Sequence, residues 1–152
     1  MAPLVTFLQN HSSTTSGGHV LLTLCKSKLH RATVTQAELH YEGSITIDAA
    51  LLAAANILPF ERVQVVDVAN GARFETYAIA GKAGSRTVWV NGAAARLVQV
   101  GDPVIVISYA QLTPDEAVRH RPTIVLLNAD NSIRDTLAGD QATPIEVLSE
   151  SL

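Results

Sequence analysis

The chain has 152 residues, 47% of them hydrophobic and only 16% charged, with a formal net charge of −3 and a mean hydropathy of +0.22. That length predicts one domain with a real core, and the composition excludes disorder for the bulk of it. The weakly acidic balance, with no basic stripe among aromatics, excludes nucleic acid as the expected partner.

Residues 1–19 form a stretch of their own. His11-Ser-Ser-Thr-Thr-Ser-Gly-Gly-His19 is polar and unpatterned, so a flexible extension is expected. No charged start runs into a long apolar stretch, so no signal peptide is read, and the Asn10-His11-Ser12 sequon is taken as chance. No apolar run reaches the ~18 residues of a membrane span. A cytoplasmic protein without membrane contact is the expectation.

Val20–Cys25 reads as a buried strand that continues with Lys26, Lys28 and His30 on one face, since side chains alternate with period two. Cys25, the only cysteine, is expected to be a small hydrophobe in that strand. Thr35-Gln-Ala-Glu38 matches a capping box and predicts a short helix after Thr35. Ser44–Ile47 predicts a strand. Asp48 predicts the cap of an Ala/Leu-rich helix running to about Leu58 and stopped by Pro59.

Val63–Val68 and Arg73–Ala80 flank Asn70-Gly71, which predicts a hairpin. Arg86–Val90 predicts another strand, Ala93–Leu97 a single helical turn, and Asp102–Tyr109 a further strand with Pro103 near its start. Thr113-Pro114-Asp115-Glu116 is a helix start with proline in the first turn. Thr123–Leu127 is expected to be the last strand, followed by a loose tail over 140–152. Many short strands between turn signals predict a small barrel or sandwich.

Glu42-Gly43-Ser44 is where the chemistry concentrates. The Ser44 hydroxyl can reach the Gly43 carbonyl carbon through a five-membered ring, converting the amide into an ester. Elimination and hydrolysis would then cut the chain and leave a pyruvoyl group in place of Ser44. Gly43 suits a strained backbone that a residue with a Cβ would resist. By residue type alone, a Gly-Ser pair is most often an ordinary turn. Arg73 and Tyr77, four apart on one strand, share a face; they are either a surface pair or a carboxylate fork beside a phenolic acid. Lys26, Lys28 and Arg31 are either a solvated basic run or part of an anion site. The five histidines lack a ligand spacing such as His-x-x-x-His, so no metal is expected.

KSKLHRATVT, ELHYEGS, NGARFETYAIAG and NGAAARLVQVGDPVIVISYA together resemble the pyruvoyl-dependent aspartate 1-decarboxylase family, in order, from about Leu22 to about Asp130. The resemblance implies a mainly β fold, a double-psi β-barrel with short helices, assembled as a homotetramer with sites between subunits. The barrel domain is expected over 20–139, self-cleaved between residues 43 and 44. The implied activity is decarboxylation of L-aspartate to β-alanine and CO2 for pantothenate biosynthesis. The implied cofactor is a covalent pyruvoyl group derived from Ser44, whose carbonyl serves as the electron sink once the substrate amine condenses with it.

The same resemblance implies roles residue by residue. Thr76 hydrogen-bonds the Gly43 carbonyl during self-cleavage and Tyr77 protonates the carbanion-like intermediate. Arg73 and Lys28 hold substrate carboxylates, and His30 forms a polar wall beside Lys28. Asn91, Gly92, Ala93, Ala94 and Ala95 form a backbone-rich loop at the pyruvoyl end and the substrate, while Ile105 matches an apolar pocket position. Tyr41 lines the pocket or packs beside the cleavage loop, and His40 is expected to be structural. Thr76 and Tyr77 are neighbours facing opposite ways on a regular strand; both can serve one site only if the strand twists, bulges or ends there. The front departs from the family pattern: Leu22-Thr23-Leu24 stands where the family has an Arg-Thr-Met-like start. Two rival readings remain: the same chemistry on another amino acid, and an uncleaved barrel acting as a binding or assembly module.

Overall fold

The computed structural model describes residues 20–139, so the expected extension over 1–19 and tail over 140–152 lie outside the described residues. Within them the chain forms nine strands: β1 (Leu22–Thr33), β2 (Gln36–Glu38), β3 (Ser44–Asp48), β4 (Arg62–Asp67), β5 (Arg73–Gly81), β6 (Val88–Asn91), β7 (Pro103–Leu112), β8 (Thr123–Leu127) and β9 (Ile133–Leu137). Two short α-helices, α1 (Ala49–Ala54) and α2 (Pro114–Ala117), and a 3-10 turn at Gly92–Leu97 complete it. The strands make one mixed sheet in the order β2-β6-β3-β5-β4-β7-β1-β8-β9. One buried cluster draws Leu29, Ile45, Leu52, Val65, Ala78, Val90, Val106 and Val125 from β1, β3, α1, β4, β5, β6, β7 and β8. A flat sheet cannot enclose such a cluster, so the sheet curls around it: the fold is mainly β and barrel-like, with short helices.

Local chemistry explains most boundaries. Asp48 Oδ1 accepts the Ala50 N–H at 2.8 Å and caps α1 as expected. The helix ends earlier than Leu58, because Asn56 takes a left-handed φ of 54° while Ile57 N–H donates back to the Leu52 carbonyl. Pro59 is therefore not what stops it. The hairpin at Asn70-Gly71 forms between β4 and β5, with Gly71 at φ 74°. The capping box of α2 is complete, Thr113 and Glu116 exchanging side-chain and backbone bonds.

Other expectations fail as well: Val20, Leu21 and Leu22 are exposed, so the chain does not enter β1 as a buried strand. Thr35-Gln-Ala-Glu38 does not start a helix: it leads into β2, which runs parallel to β6. Thr35 Oγ1 donates to the Val88 carbonyl and accepts the Val88 N–H, both at 3.0 Å, so the hydroxyl is taken by a residue 53 positions away instead of by its own next turn. Thr123–Leu127 is not the last strand. β9 follows it, antiparallel to β8, with four of its five residues exposed and no apolar alternation to reveal it.

β1 carries two register shifts against β7, between Cys25 and Ser27 and between Leu29 and Ala32. Between these bulges the alternation holds, with Ser27 and Leu29 buried and Lys26, Lys28 and His30 half-exposed. Cys25 is half-buried and burial pushes its thiol up, Lys28 opposing. It behaves as the small strand hydrophobe expected of it.

Candidate active site

Ser44 opens β3, and its neighbours are set by the ladders on both sides. Across the antiparallel β3–β6 ladder it pairs with Asn91. Both residues are buried, Ser44 at 1% exposure and Asn91 at 0%. Asn91 Nδ2 donates to Ser44 Oγ at 3.0 Å and to Thr46 Oγ1 at 3.2 Å. Asn91 Oδ1 is buried with no hydrogen-bond partner among the described residues.

The loop before Ser44 is pressed against the turn after β6. Gly92 adopts φ +72°, and a Cβ on it would stand 2.8 Å from Gly43 Cα and 3.1 Å from the Tyr41 carbonyl oxygen. Only glycine fits there, on both sterics and dihedral. Tyr41 packs over Trp89 with ring centroids 5.8 Å apart, so it sits beside the cleavage loop while remaining largely exposed. Ala93 is exposed and Ala94 and Ala95 half-buried in the 3-10 turn that follows.

On its other side β3 runs parallel to β5, the ladder opening with Ile45 beside Ala78. Ser44 and Gly43 precede Ile45 as Tyr77 and Thr76 precede Ala78, so both pairs lie at the mouth of one ladder. β5 shows no register shift from Arg73 to Tyr77, which excludes a bulge there. Arg73, Glu75 and Tyr77 are exposed while Phe74 and Thr76 are half-buried and Ala78 is buried, so Thr76 and Tyr77 do face opposite ways. Continued one and two residues beyond the Ile45–Ala78 pair, the β3–β5 register sets Tyr77 level with Ser44 and Thr76 level with Gly43, without a bulge.

Tyr77 stacks on Phe60, centroids 6.5 Å apart. Phe60, Arg62, Glu75, Thr76 and Tyr77 line an open cleft of about 500 Å³. Arg62 lies 3.9 Å from Glu75, and both are exposed; such a pair adds little. Arg73 makes no ion pair among the described residues and remains available to an anion.

Lys28 and His30 lie on β1. Lys28 pairs with Ile107 of β7 and Ile124 of β8, four strands from β3 in the sheet order. No hydrogen bond or ion pair among the described residues joins either of them to Ser44, Tyr77 or Arg73. Burial first, then the charges of Lys28, Arg31 and Arg134, hold the His30 imidazole below its ordinary value, and its Nδ1 is buried without a partner. Lys26, on the same face, is committed to structure: its Nζ lies 2.6 Å from Glu61 and donates to the Asn56 carbonyl at 2.7 Å. His40 is exposed, its N–H bonded to Glu38, and Ile105 is half-buried opposite Val66.

Thus contacts join Gly43, Ser44, Asn91 and Gly92, register sets Thr76 and Tyr77 at the same ladder end, and Lys28 and His30 lie on a strand four away in the sheet order. Thr46 was not anticipated; its position two residues after Ser44, on the same side of a strand, was the only signal.

A buried serine at the start of a strand, faced by a carboxamide and preceded by a glycine in a close turn, is the most tightly built polar cluster of this barrel-like β fold. The sequence model of the family described as aspartate decarboxylase matches residues 20–134. The chain is 59% identical over 116 residues to the aspartate 1-decarboxylase of Clostridium beijerinckii, covering 76% of this chain and 94% of that one. It is 56% identical over 121 residues to that of Salinibacter ruber, covering 80% and 83%. With that of Chloroherpeton thalassium the identity is 53% over 129 residues, covering 84% and 95%. This chain belongs to the aspartate decarboxylase family.

Proposed function

We propose that the chain cuts itself between Gly43 and Ser44 and, with the pyruvoyl group that Ser44 becomes, converts L-aspartate to β-alanine and CO2, the step that feeds pantothenate biosynthesis. The observation that carries the reading is the buried Ser44 hydroxyl held by Asn91 beside a Gly43 that Gly92 presses into place.

The atoms of maturation balance with this chain and water. Ser44 Oγ bonds to the Gly43 carbonyl carbon as the C–N bond breaks, and the hydroxyl proton passes to the departing nitrogen. The ester then loses the Ser44 Cα proton and releases Gly43 as a carboxylate. The enamine left at position 44 takes up water and gives off ammonia. Negative charge grows on the Gly43 oxygen in the first step. Thr76, at the same ladder mouth, is the donor in reach of it by register, a role for which one such group is typically worth ~2.7–4 kcal/mol. Burial of Ser44 excludes bulk water until the ester has formed.

The pocket fits the group that results. The Asn91 amide and the Gly92 main chain border position 44 and would hold a carbonyl formed there. A pyruvoyl carbonyl formed there would supply the electron sink that loss of CO2 requires. The other residues bind and move protons. Arg73, exposed and without an ion-pair partner among the described residues, takes one carboxylate of the dicarboxylate substrate. Tyr77 delivers a proton to carbon from the cleft it lines with Phe60. Ala93 to Ala95 close the floor with main chain.

Lys28 takes the second carboxylate, with His30 beside it. Their distance from Ser44 in the sheet order supports a site completed by a neighbouring copy, hence a homotetramer with sites between subunits. The exposed Phe60 and Tyr77 support the same assembly. No helix among the described residues is long and apolar enough to cross a membrane, and the cytoplasm is the compartment of this reading. Residues 20–139 are the working domain, with 1–19 and 140–152 as appendages.

Denaturing mass spectrometry of purified protein tests it. Two fragments parting after Gly43, the second starting with pyruvoyl, together with CO2 release from aspartate, are the expected result. A single intact chain that releases no CO2 would overturn the proposal.

A further inference from the structure

We infer that Thr46 is a positioning residue for self-cleavage, fixing the Asn91 carboxamide so that its N–H, not its oxygen, meets the Ser44 hydroxyl. This rests on the self-cleavage reading above and adds a residue to it.

Ser44 and Thr46 are two apart on β3, so their hydroxyls project toward the same side. Asn91 stands opposite Ser44 on β6, and its two amide hydrogens are divided between the two hydroxyls, at 3.0 Å and 3.2 Å. A carboxamide turns about χ2 in a broad, roughly two-fold well, so one hydrogen bond alone holds it weakly. Oδ1 offers no anchor, because it is buried without a partner among the described residues. Thr46 is therefore the second point that defines the amide plane.

Orientation decides what Asn91 does to Ser44. With N–H toward Oγ, the amide stabilises negative charge as the hydroxyl gives up its proton, and the O–H is turned away toward the bond being attacked. With Oδ1 toward Oγ, the amide would accept the hydroxyl proton and hold the oxygen back.

Thr46 also packs against the neighbouring strand. Its Cγ2 lies 3.2 Å from where a Cβ on Gly81 would be, so the methyl fills the space that Gly81 leaves on β5. A β-branched side chain has few χ1 options, and with the methyl against Gly81 the hydroxyl is left facing Asn91. Thr46 is only half-buried, paired with Trp89 and Ile79 in the two ladders, so exchanging its hydroxyl for a methyl asks little of the core.

The test follows the appearance of the two fragments over time in freshly purified full-length chain, by denaturing mass spectrometry. Thr46→Val keeps the shape and removes the hydroxyl; it should slow cleavage roughly three- to tenfold, the factor expected from one neutral hydrogen bond. Thr46→Ser restores the hydroxyl and should cleave within about twofold of wild type, since the orienting bond returns. Melting temperatures of the variants, measured in parallel, should not track the cleavage rates. If Thr46→Val fails to fold, Thr46→Ala carries the same expectation. A Val variant as fast as wild type, or a Ser variant as slow as Val, overturns this inference while leaving self-cleavage intact. A wild-type chain that never cleaves overturns both.

Discussion

Gly92 and Gly43 touch across the mouth of the β3–β6 ladder so closely that a Cβ on Gly92 would stand 2.8 Å from the Gly43 Cα and 3.0 Å from its nitrogen. The atoms in the way are backbone, so nothing can swing aside. Gly92→Ala would also place an L side chain at φ +72°, a strain worth about 1–2 kcal/mol. The variant should melt several degrees lower. With Gly43 displaced, cleavage should slow roughly tenfold to a hundredfold, the penalty of losing an attack geometry. Thermal unfolding and fragment mass spectrometry check the two effects separately.

Ser44→Ala removes the nucleophile and leaves Asn91 bonded to Thr46. The variant should remain one chain, release no CO2 from aspartate, and lose about 1 kcal/mol of stability from the missing buried hydrogen bond. Trp89 is the only tryptophan and sits beside Tyr41 in the loop that ends at Gly43. Its emission should change as wild type matures, in step with the fragments, and stay constant in Ser44→Ala.

Tyr77→Phe keeps the ring on Phe60 and removes the hydroxyl. Because Ser44, Asn91 and Thr76 are untouched, the two fragments should still form. Decarboxylation should fall by about 10²–10⁴, in kcat more than in KM, as expected for loss of a proton donor. Equal cleavage with undiminished kcat would remove Tyr77 from the mechanism.

Asp67 gives a pH prediction outside the site. It is fully buried at the end of β4, and burial first, then the neighbouring Asp102 carboxyl, raises its pKa. Its Oδ1 accepts the Ala69 N–H, while Oδ2 is buried without a partner among the described residues. A folded-state value above the unfolded value favours the fold at low pH. That contribution is full below the unfolded pKa and is lost as pH rises through the folded one. Asp67→Asn should therefore raise the melting temperature at pH 7 by a few degrees, on the scale of ~1 kcal/mol in a domain of this size. The gain should shrink as pH falls toward 4. A gain independent of pH would mean that charge is not the cause.

Sequence patterns were readable where the partner of a residue lies a few positions away. Asp48 capping α1, the Thr113–Glu116 box and the Asn70-Gly71 hairpin are all of this kind. Thr35–Glu38 carries the same local signature as Thr113–Glu116 and fails because Val88 takes the Thr35 hydroxyl. β9 was invisible because an exposed edge strand has no core face to pattern. Ser44, Thr76, Tyr77, Arg73 and Lys28 stood out only through family resemblance, since a Gly-Ser turn and a basic run are common. The pairing of Ser44 with Asn91 depends on register between distant strands, which no spacing in the sequence encodes. Thr46 followed only once that register was known.

The strand order also bears on what a break before Ser44 would leave behind. The described part of the leading piece, residues 20–43, contributes β1 and β2, and these do not pair with each other; β1 lies between β7 and β8, and β2 lies against β6. Every ladder rung holding that piece thus comes from the trailing one. The severed polypeptide would stay interwoven as a two-part molecule, able to come apart only by losing its fold.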